Sequence, residues 1–323
     1  MKLKKVFLAI CLMLSGSQLV ISQNDSTVSN PPLVLYSVFV NVVPDQFKFP
    51  LVGFINTALG THKGLEVGFI NTTVKDFTGI QTGFVNTTLW NFTGIQLGFI
   101  NTSIKDLNGV QTGFINTAAK NANGIQFGFF NTVAKNTNGL QVGFINTAAK
   151  RINGSQIGFI NFADTVSNGV AVGFLSIIKN GGYKAFEVSA TELYPYNVSF
   201  KIGLPQFYTY FQGSYNEKYV RPLAWGFGFG SMISLGNNFY FNPECGMLQS
   251  SIYNQSQTSS LATNIRYNLS SKLQVAAGLS AVWLNYEFEP TMYKTPFLSI
   301  LNTQLDAHNS MIIGARVALS VQI

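Results

Sequence analysis

The sequence is poor in the residues on which most enzymes depend. Its 323 residues include two histidines and two cysteines, and only 10% are charged, against about 25% in ordinary soluble domains. Few groups are therefore present for acid–base, nucleophilic or metal chemistry. The sequence also lacks a phosphate-binding loop, a metal-ligand spacing and a nucleic-acid-binding signature. We expect a non-enzymatic protein with no catalytic site, no cofactor or metal, and no nucleic acid partner.

A membrane-spanning helix is also missing, since this needs about 20 consecutive apolar residues. The apolar run at 6–16 is shorter, follows a lysine-rich start and precedes a polar stretch, which is the order of a secretory signal. We predict a signal peptide over residues 1–23, and we reject a lipoprotein signal at Cys11 because the bulky Ile10 precedes it. If the mature chain enters a membrane, it must do so with β-strands.

Disulfides are excluded as well, because removal of the signal peptide leaves Cys245 as the one remaining cysteine. Cys245 has no histidine or cationic neighbour in sequence, so we expect an inert thiol packed within a strand. What the chain does have is apolar surface: 46% of its residues are hydrophobic and 14% are aromatic. This composition argues against disorder.

A 15-residue repeat dominates the first half of the chain. The dipeptide Gly-Phe occurs nine times at this spacing, from Gly53 to Gly173. The full unit reads G-[ILV]-Q-x-G-F-[IV]-N-T-x-x-K-x-x-N. Nine copies without an insertion predict stacked, equivalent units over residues 50–178.

Two all-β architectures fit this repeat. In a β-solenoid each unit forms one coil, so that Phe stacks on Phe and Asn on Asn about every 4.8 Å. In an up-and-down repeat sheet each unit forms one strand and a turn, and the natural period is 30 residues. The 15-residue period favours the solenoid. The close likeness of 75–82 to 105–112, two units apart, favours the sheet.

The unit resembles that of bacterial surface-repeat proteins, whose repeats read G-[LIV]-Q-[LIV]-G-[LF]-[IV]-N. The likeness runs from Gly53 to about Gly173 and departs in the last unit, where Ala171 replaces Gln and Ser176 replaces Asn. Such a departure is expected of a terminal cap. The resemblance implies exposure at the cell envelope and implies no reaction.

Residues 184–323 have a different pattern, in which apolar residues alternate with small or polar ones. In the last strand Val317, Leu319 and Val321 share one face, as on the lipid side of an outer-membrane-type antiparallel β-barrel. A soluble β-sandwich, with this face as its core, is the alternative. We predict about eight barrel strands, at 33–43, 185–193, 197–211, 222–234, 237–250, 260–269, 272–286 and 310–323.

The predicted order of strands carries a topological consequence. With 33–43 as the first barrel strand, the repeats lie between barrel strands one and two. Short turns and long loops alternate in the remainder, as periplasmic turns and external loops do. The repeats are then expected outside the cell.

Two polar columns of the repeat are candidates for surface recognition. One is a basic column that could meet lipopolysaccharide phosphates or acidic glycans, formed by Lys75, Lys105, Lys120, Lys135 and Lys150. The other is a column of exposed hydroxyls, formed by Thr72, Thr87, Thr102, Thr117, Thr132 and Thr147. The alternatives to recognition are structural roles: the lysines could form a solvated edge, and the neighbouring asparagines could form inward amide ladders.

These features together predict an outer-membrane protein at the cell surface, in contact with membrane lipid. Its repeats would serve adhesion or envelope interaction with a glycan, lipopolysaccharide or a host surface. The alternative is that all strands form one larger barrel of about 17 strands, acting as a pore. Asp306 and His308 lie close in sequence, but nothing completes a catalytic triad with them.

Overall fold

The structure, a computed structural model, describes residues 34–217, 222–250, 256–285, 298–306 and 308–323. The predicted signal peptide, residues 1–23, lies outside the described residues. The regular elements of the described ranges are all β-strands, which confirms the all-β class. No helix in these ranges is long and apolar enough to cross a membrane. The chain forms two compact units, divided between Gly169 and Val170.

The first unit is a parallel β-solenoid in which each 15-residue repeat makes one coil. Each strand pairs in parallel with the strand one repeat later, for example Ile100 with Ile115 and Asn101 with Asn116. The solenoid prediction is therefore confirmed, and the up-and-down repeat sheet is wrong. The likeness between units two apart does not reflect strands of alternating direction.

Every coil contributes one strand to each of two sheets. The strands of the first sheet are Val40–Val43, Ile55–Ala58, Ile70–Thr73, Val85–Thr88, Ile100–Ser103 and Ile115–Ala118. Those of the second sheet are Leu51–Val52, His62–Val67, Phe77–Thr82, Phe92–Leu97 and Leu107–Thr112. The long strands Ala122–Val133 and Thr137–Asn168 continue through both sheets.

Glycine lets the coils approach closely. At Gly109 the φ angle is +141°, and an added Cβ would lie 2.0 Å from the carbonyl oxygen of Gly94 in the preceding coil. Only glycine adopts this backbone conformation readily. The recurring glycines are thus a steric requirement of the stacking.

One predicted barrel strand belongs to the solenoid instead. The range 33–43 contains the strand Val40–Val43, which pairs in parallel with Ile55–Ala58. The prediction of a barrel strand there is wrong, and so is the derived position of the repeats between two barrel strands. The solenoid begins one coil earlier than the Gly-Phe motif indicates.

The second unit opens with two short strands, Ala171–Val172 and Leu175–Ile178, and continues as a closed antiparallel barrel. Its eight strands are Tyr183–Ala190, Tyr196–Leu204, Phe207–Tyr215, Leu223–Gly230, Phe239–Ser250, Ser256–Asn268, Leu273–Asn285 and Asn309–Gln322. Each pairs with the next, and the last pairs with the first, with Ala185 opposite Gln322. Two further strands, Ile233–Gly236 and Ser299–Gln304, extend hairpins at the rims.

The predicted number of eight strands is confirmed, but their assignment differs. The range 197–211 is not one strand, because a tight turn at 205–206 divides it between Tyr196–Leu204 and Phe207–Tyr215. This extra strand compensates for the one wrongly assigned to 33–43. The alternative of a single barrel of about 17 strands is wrong, because the repeats pair in parallel within the solenoid.

The barrel has two distinct rims. The chain enters and leaves at one of them, here called the termini rim, which also carries the turns 205–206, 231–238 and 269–272. At the opposite loop rim lie the described connection 191–195 and the strand ends Tyr215 and Leu223, Ser250 and Ser256, and Asn285 and Asn309.

Candidate functional site

The barrel interior holds a cluster of ion pairs. Glu187, on the first strand, lies 2.6 Å from Lys201 Nζ, 2.6 Å from Arg266 Nη2 and 2.8 Å from Arg316 Nη2. Glu244 accepts hydrogen bonds from Lys201 and Tyr208, each at 2.5 Å, and from Arg316. These charged groups are almost completely buried. Buried charges are tolerated only when they are paired and hydrogen-bonded, as here.

The connection at 191–195 folds inward and closes the interior near the loop rim. Leu193 and Tyr194 pack against Val282 and Ile312 in an apolar cluster. Beside them the Glu192 carboxylate accepts a hydrogen bond from the Ser280 hydroxyl, and burial raises the pKa of this carboxyl. Side chains thus fill the interior of the barrel.

The outer face of the barrel is apolar. The exposed large side chains on it include Phe186, Val188, Val198, Phe211, Trp225, Met247, Leu261, Ile265, Leu279, Trp283, Val317, Leu319 and Val321. The predicted alternation of the last strand is confirmed. The β-sandwich is wrong, because the eight strands close into a single barrel and the face proposed as the sandwich core points outward.

One side chain on the barrel does not lie where the sequence analysis placed it. The thiol of Cys245 is exposed on the outer face and is not packed. Tyr208 and Tyr210 are buried inside the barrel. Trp225 and Trp283 do lie on the outer face, together with Tyr196 and Tyr215 near the loop rim.

Inside the solenoid, amide ladders run along the stack. Asn86 Nδ2 donates to Asn101 Oδ1 at 2.9 Å, and Asn101 Nδ2 donates to Asn116 Oδ1 at 2.9 Å. Gln96 and Gln111 form a second ladder, with a spacing of 2.7 Å between donor and acceptor. These asparagines and glutamines are fully buried. They satisfy one another in the core and are unavailable to a ligand.

The glutamine ladder begins at an acid. Glu66 occupies the position of Gln in the first complete coil and accepts from Gln81 Nε2 at 2.7 Å and from the Thr73 hydroxyl at 2.8 Å. His62 Nδ1 lies 2.9 Å from Glu66 Oε1, the oxygen that also accepts from Thr73. The sequence analysis did not predict this partner for His62. His62 is fully buried, so it belongs to the core of the solenoid at its first complete coil.

The threonine column lies on the outside of the first sheet, half-buried between neighbouring coils. The strand Ile100–Ser103 has the burial pattern of an outward Ile and Thr alternating with inward Asn and Ser, and Thr117 continues the column in register with Thr102. The structure brings the threonines together in one row. Nothing in their contacts identifies a ligand.

The lysine column lies at the corner that leads from the first sheet back to the second. Lys75 Nζ is 3.0 Å from Asp45 Oδ2, and Lys105 Nζ lies 3.8 Å from the centroid of the Trp90 ring. The backbone N–H of Thr61, followed by Lys75, lowers the pKa of Asp45. The first half of the column is therefore locally partnered.

The second half of this corner is different. Lys120, Lys135 and Lys150 follow on consecutive coils, and none forms an ion pair with a described residue. Backbone hydrogen bonds hold them in line, from Lys135 N to Lys120 O at 3.0 Å and from Lys150 N to Lys135 O at 3.1 Å. With Arg151 beside the last, they form a basic row with a spacing of about 4.8 Å.

The opposite corner, which leads from the second sheet to the first, carries a feature whose position the sequence analysis did not predict. The Gly-Phe phenylalanines form a continuous outer ladder, which we call the Phe ridge: Phe54, Phe69, Phe84, Phe99, Phe114, Phe129, Phe144 and Phe159. Ring centroids are 4.7 to 5.1 Å apart. Stacking of Phe on Phe was predicted from the period, but its exposed position was not.

The histidine near the C-terminus lies in a turn that the Asp306 carboxylate holds together. Asp306 accepts the backbone N–H of His308 at 2.8 Å and the side-chain amide of Asn309 at 2.9 Å, so this carboxylate stabilises a turn. Among the described residues no group of three or more His, Cys, Asp or Glu side chains converges as metal ligands would.

No family model matches the chain, and no curated protein or solved structure matches it either. The likeness to bacterial surface-repeat proteins stays a prediction from the repeat motif alone.

Proposed function

We propose that this is a non-enzymatic outer-membrane protein, in which the barrel is the anchor and the solenoid binds acidic groups of the cell envelope. The reversed polarity of the barrel carries this proposal. Glu187, Lys201 and Arg316 lie inside, while residues such as Trp225 and Leu279 are exposed outside. This distribution suits a lipid environment and would be unfavourable in water.

The barrel is better suited to anchoring than to transport. Eight strands give an interior just wide enough for side chains to fill. The ion-pair cluster and the inward connection at 191–195 occupy this interior. A solute would have to displace buried, mutually paired charges, which is strongly unfavourable.

The rims suggest which side of the membrane each part faces. Outer-membrane barrels keep short turns in the periplasm and longer loops outside. The turn at 205–206 lies on the termini rim, whereas the strand ends joined by the long connection, Asn285 and Asn309, lie on the loop rim. The chain before Tyr183 then stays on the periplasmic side. Display of the repeats for adhesion is the competing proposal, which the resemblance to surface-repeat proteins favours.

The basic row is the part of the solenoid that best suits an acidic partner. Lys120, Lys135 and Lys150 have no competing acidic partner among the described residues, and their spacing is regular. Regularly spaced phosphate or carboxylate groups on an envelope glycan, including those of lipopolysaccharide, would complement this row. The threonine column would supply uncharged hydrogen bonds to the same partner.

A binding measurement on the full chain in nanodiscs tests this role. The probes are lipopolysaccharide, dephosphorylated lipopolysaccharide and the carboxylated polysaccharide alginate, at low and high salt. The variant carries Lys120→Gln, Lys135→Gln and Lys150→Gln. Its matched control, with the same loss of charge, carries Lys63→Gln, Lys179→Gln and Lys272→Gln, all at exposed positions.

The proposal predicts salt-sensitive binding that the row variant weakens about tenfold, because each exposed ion pair contributes about 0.2–1 kcal/mol. The control variant should bind like the wild type. Loss of binding on dephosphorylation identifies phosphate as the recognised group, and binding of alginate identifies carboxylate. Equal weakening in both variants, or no binding to any probe, would contradict a specific basic site.

A further inference from the structure

The Phe ridge is a long, unbroken apolar surface on the first unit. Its eight rings are each 39 to 55% exposed, and neighbouring ring planes are within 15° of parallel. Over eight coils the ridge is about 34 Å long. Contiguous exposed apolar surface of this kind marks a site of interaction with a partner or a membrane.

The surroundings of the ridge carry no charge. On either side of it, the outward positions hold residues such as Leu65, Val67, Ile70 and Thr72, and their equivalents in later coils are likewise uncharged. The acid of this segment, Glu66, points inward and is fully buried. The charged residues of the repeat are concentrated at the opposite corner. The solenoid is therefore amphipathic across its width.

We propose that the Phe ridge lies in the interfacial region of a lipid leaflet, with the lysine corner directed towards water. An element with one apolar face and one charged face adopts this orientation, with the apolar face buried about 5–10 Å into the boundary between headgroups and acyl chains. This inference rests on the proposed function, because the barrel of the same chain brings the solenoid to a membrane.

The shape of the ridge favours lipid over a protein partner or a sugar. Centroid separations of 4.7 to 5.1 Å leave no gap between rings into which another ring or a sugar could insert. A second copy would therefore find no holes for its own side chains, as a well-packed interface requires. Acyl chains adapt to a continuous ridge without such complementarity.

Site-directed spin labelling of the full chain in phosphatidylethanolamine–phosphatidylglycerol vesicles tests the inference. Single cysteines replace Phe54 or Phe99 on the ridge, Lys120 at the opposite corner, or Trp225 on the barrel, in a background with Cys11→Ser and Cys245→Ser. Among the described residues Phe54 has a stacked ring neighbour on one side only, so a label there disturbs the stack least. Far-UV circular dichroism checks that each labelled protein keeps its fold. Collision with oxygen, which concentrates in lipid, is compared with collision with a water-soluble nickel chelate.

We expect the ridge labels to collide several-fold more with oxygen and several-fold less with nickel than the label at 120. Nickel access at 54 and 99 equal to that at 120, with 225 still shielded, would overturn the inference and leave the anchor intact. Nickel access at 225 would overturn the proposed anchor and this inference with it. If the ridge labels are shielded from both reagents and show spin–spin broadening that dilution with unlabelled protein relieves, the ridge packs against a second copy of the chain instead.

Discussion

Lys201 Nζ lies 2.6 Å from Glu187 Oε2, and neither side chain is exposed to solvent. This pair sits inside a closed barrel whose outer surface carries phenylalanine, valine, leucine and tryptophan. A water-soluble domain has the opposite arrangement, with its charges outside. The proposal of a membrane anchor depends on this reversal.

Removal of the lysine should destabilise the barrel. In the Lys201→Met variant, Glu187 and Glu244 each lose a partner while they remain buried. Breaking a buried ion pair in this way costs about 3–5 kcal/mol, which urea unfolding in detergent micelles would measure. The matched control is Lys272→Met, at an exposed turn, which should change the free energy of unfolding little. Equal effects of the two substitutions would contradict the described interior.

Interruption of the inner asparagine ladder should destabilise the solenoid. Asn101→Ala removes the acceptor of Asn86 and the donor to Asn116, and each buried group left without its partner costs about 1–3 kcal/mol. Asn108→Ala is the control, because Asn108 accepts from Asn123 in an exposed ladder. Chemical unfolding followed by circular dichroism should report a large loss for the first variant and a small one for the second. Similar losses would show that the ladder does not stabilise the core.

A pair of glycine variants separates backbone strain from collision between coils. Gly64 and Gly109 both have a positive φ, of +128° and +141°. An added Cβ meets nothing within 4 Å at Gly64, whereas at Gly109 it meets the Gly94 carbonyl oxygen. Gly64→Ala should cost only the strain of about 1–3 kcal/mol, and Gly109→Ala should cost more. If thermal unfolding shows the two variants to be equally stable, close stacking of the coils is not the reason for the glycines.

The buried carboxyl near the loop rim predicts a pH dependence. Burial raises the pKa of Glu192 above the ordinary glutamate value in the folded state, so the folded protein binds this proton more tightly than the unfolded chain does. Stability from this group is therefore greatest below the ordinary glutamate pKa and is lost as the pH rises through the raised value. Glu192→Gln should remove that decline and raise the melting temperature at neutral pH. Glu217→Gln, at an exposed position, should leave the profile unchanged, and an unchanged profile in the Glu192 variant would contradict burial of the charge.

The solenoid could be predicted from sequence because its period survives in every unit. Columns of identical residues at a spacing of 15 require equivalent environments, and stacked coils provide these. The strand Val40–Val43 was missed because it lacks the Gly-Phe motif. The signal was nevertheless present, since Asn41 precedes Asn56 by 15 residues and hydrogen-bonds to it at 2.7 Å.

The exposed position of the Phe ridge could not be read from strand alternation. Phe69 and Asn71 are two residues apart, so in one continuous strand both would point inward or both outward. A bend at Gly68 and Phe69 separates the strands on either side, and it leaves Phe69 exposed while Asn71 is buried. The alternation of inward and outward side chains therefore does not continue across the corner.

The ion-pair partners inside the barrel could not be predicted from the sequence for a different reason. Glu187 and Arg316 lie on strands that become neighbours only when the barrel closes. The sequence of neither strand alone determines the register in which the two strands pair. The split of 197–211 had a visible signal in Pro205, which cannot donate a backbone hydrogen bond and favours a turn.

Cysteine labelling of intact cells tests the central claim most directly. Single cysteines at Asn123 on the solenoid, Lys272 on the termini rim and Leu305 on the loop rim, all exposed positions, are introduced without Cys11 and Cys245. A maleimide that cannot cross the outer membrane is added before and after the membrane is permeabilised. The account predicts labelling at 305 in intact cells, and labelling at 123 and 272 only after permeabilisation. Labelling at 123 in intact cells would contradict the periplasmic position of the solenoid and favour surface display. Equal labelling before and after permeabilisation at all three sites would contradict the barrel as an outer-membrane anchor.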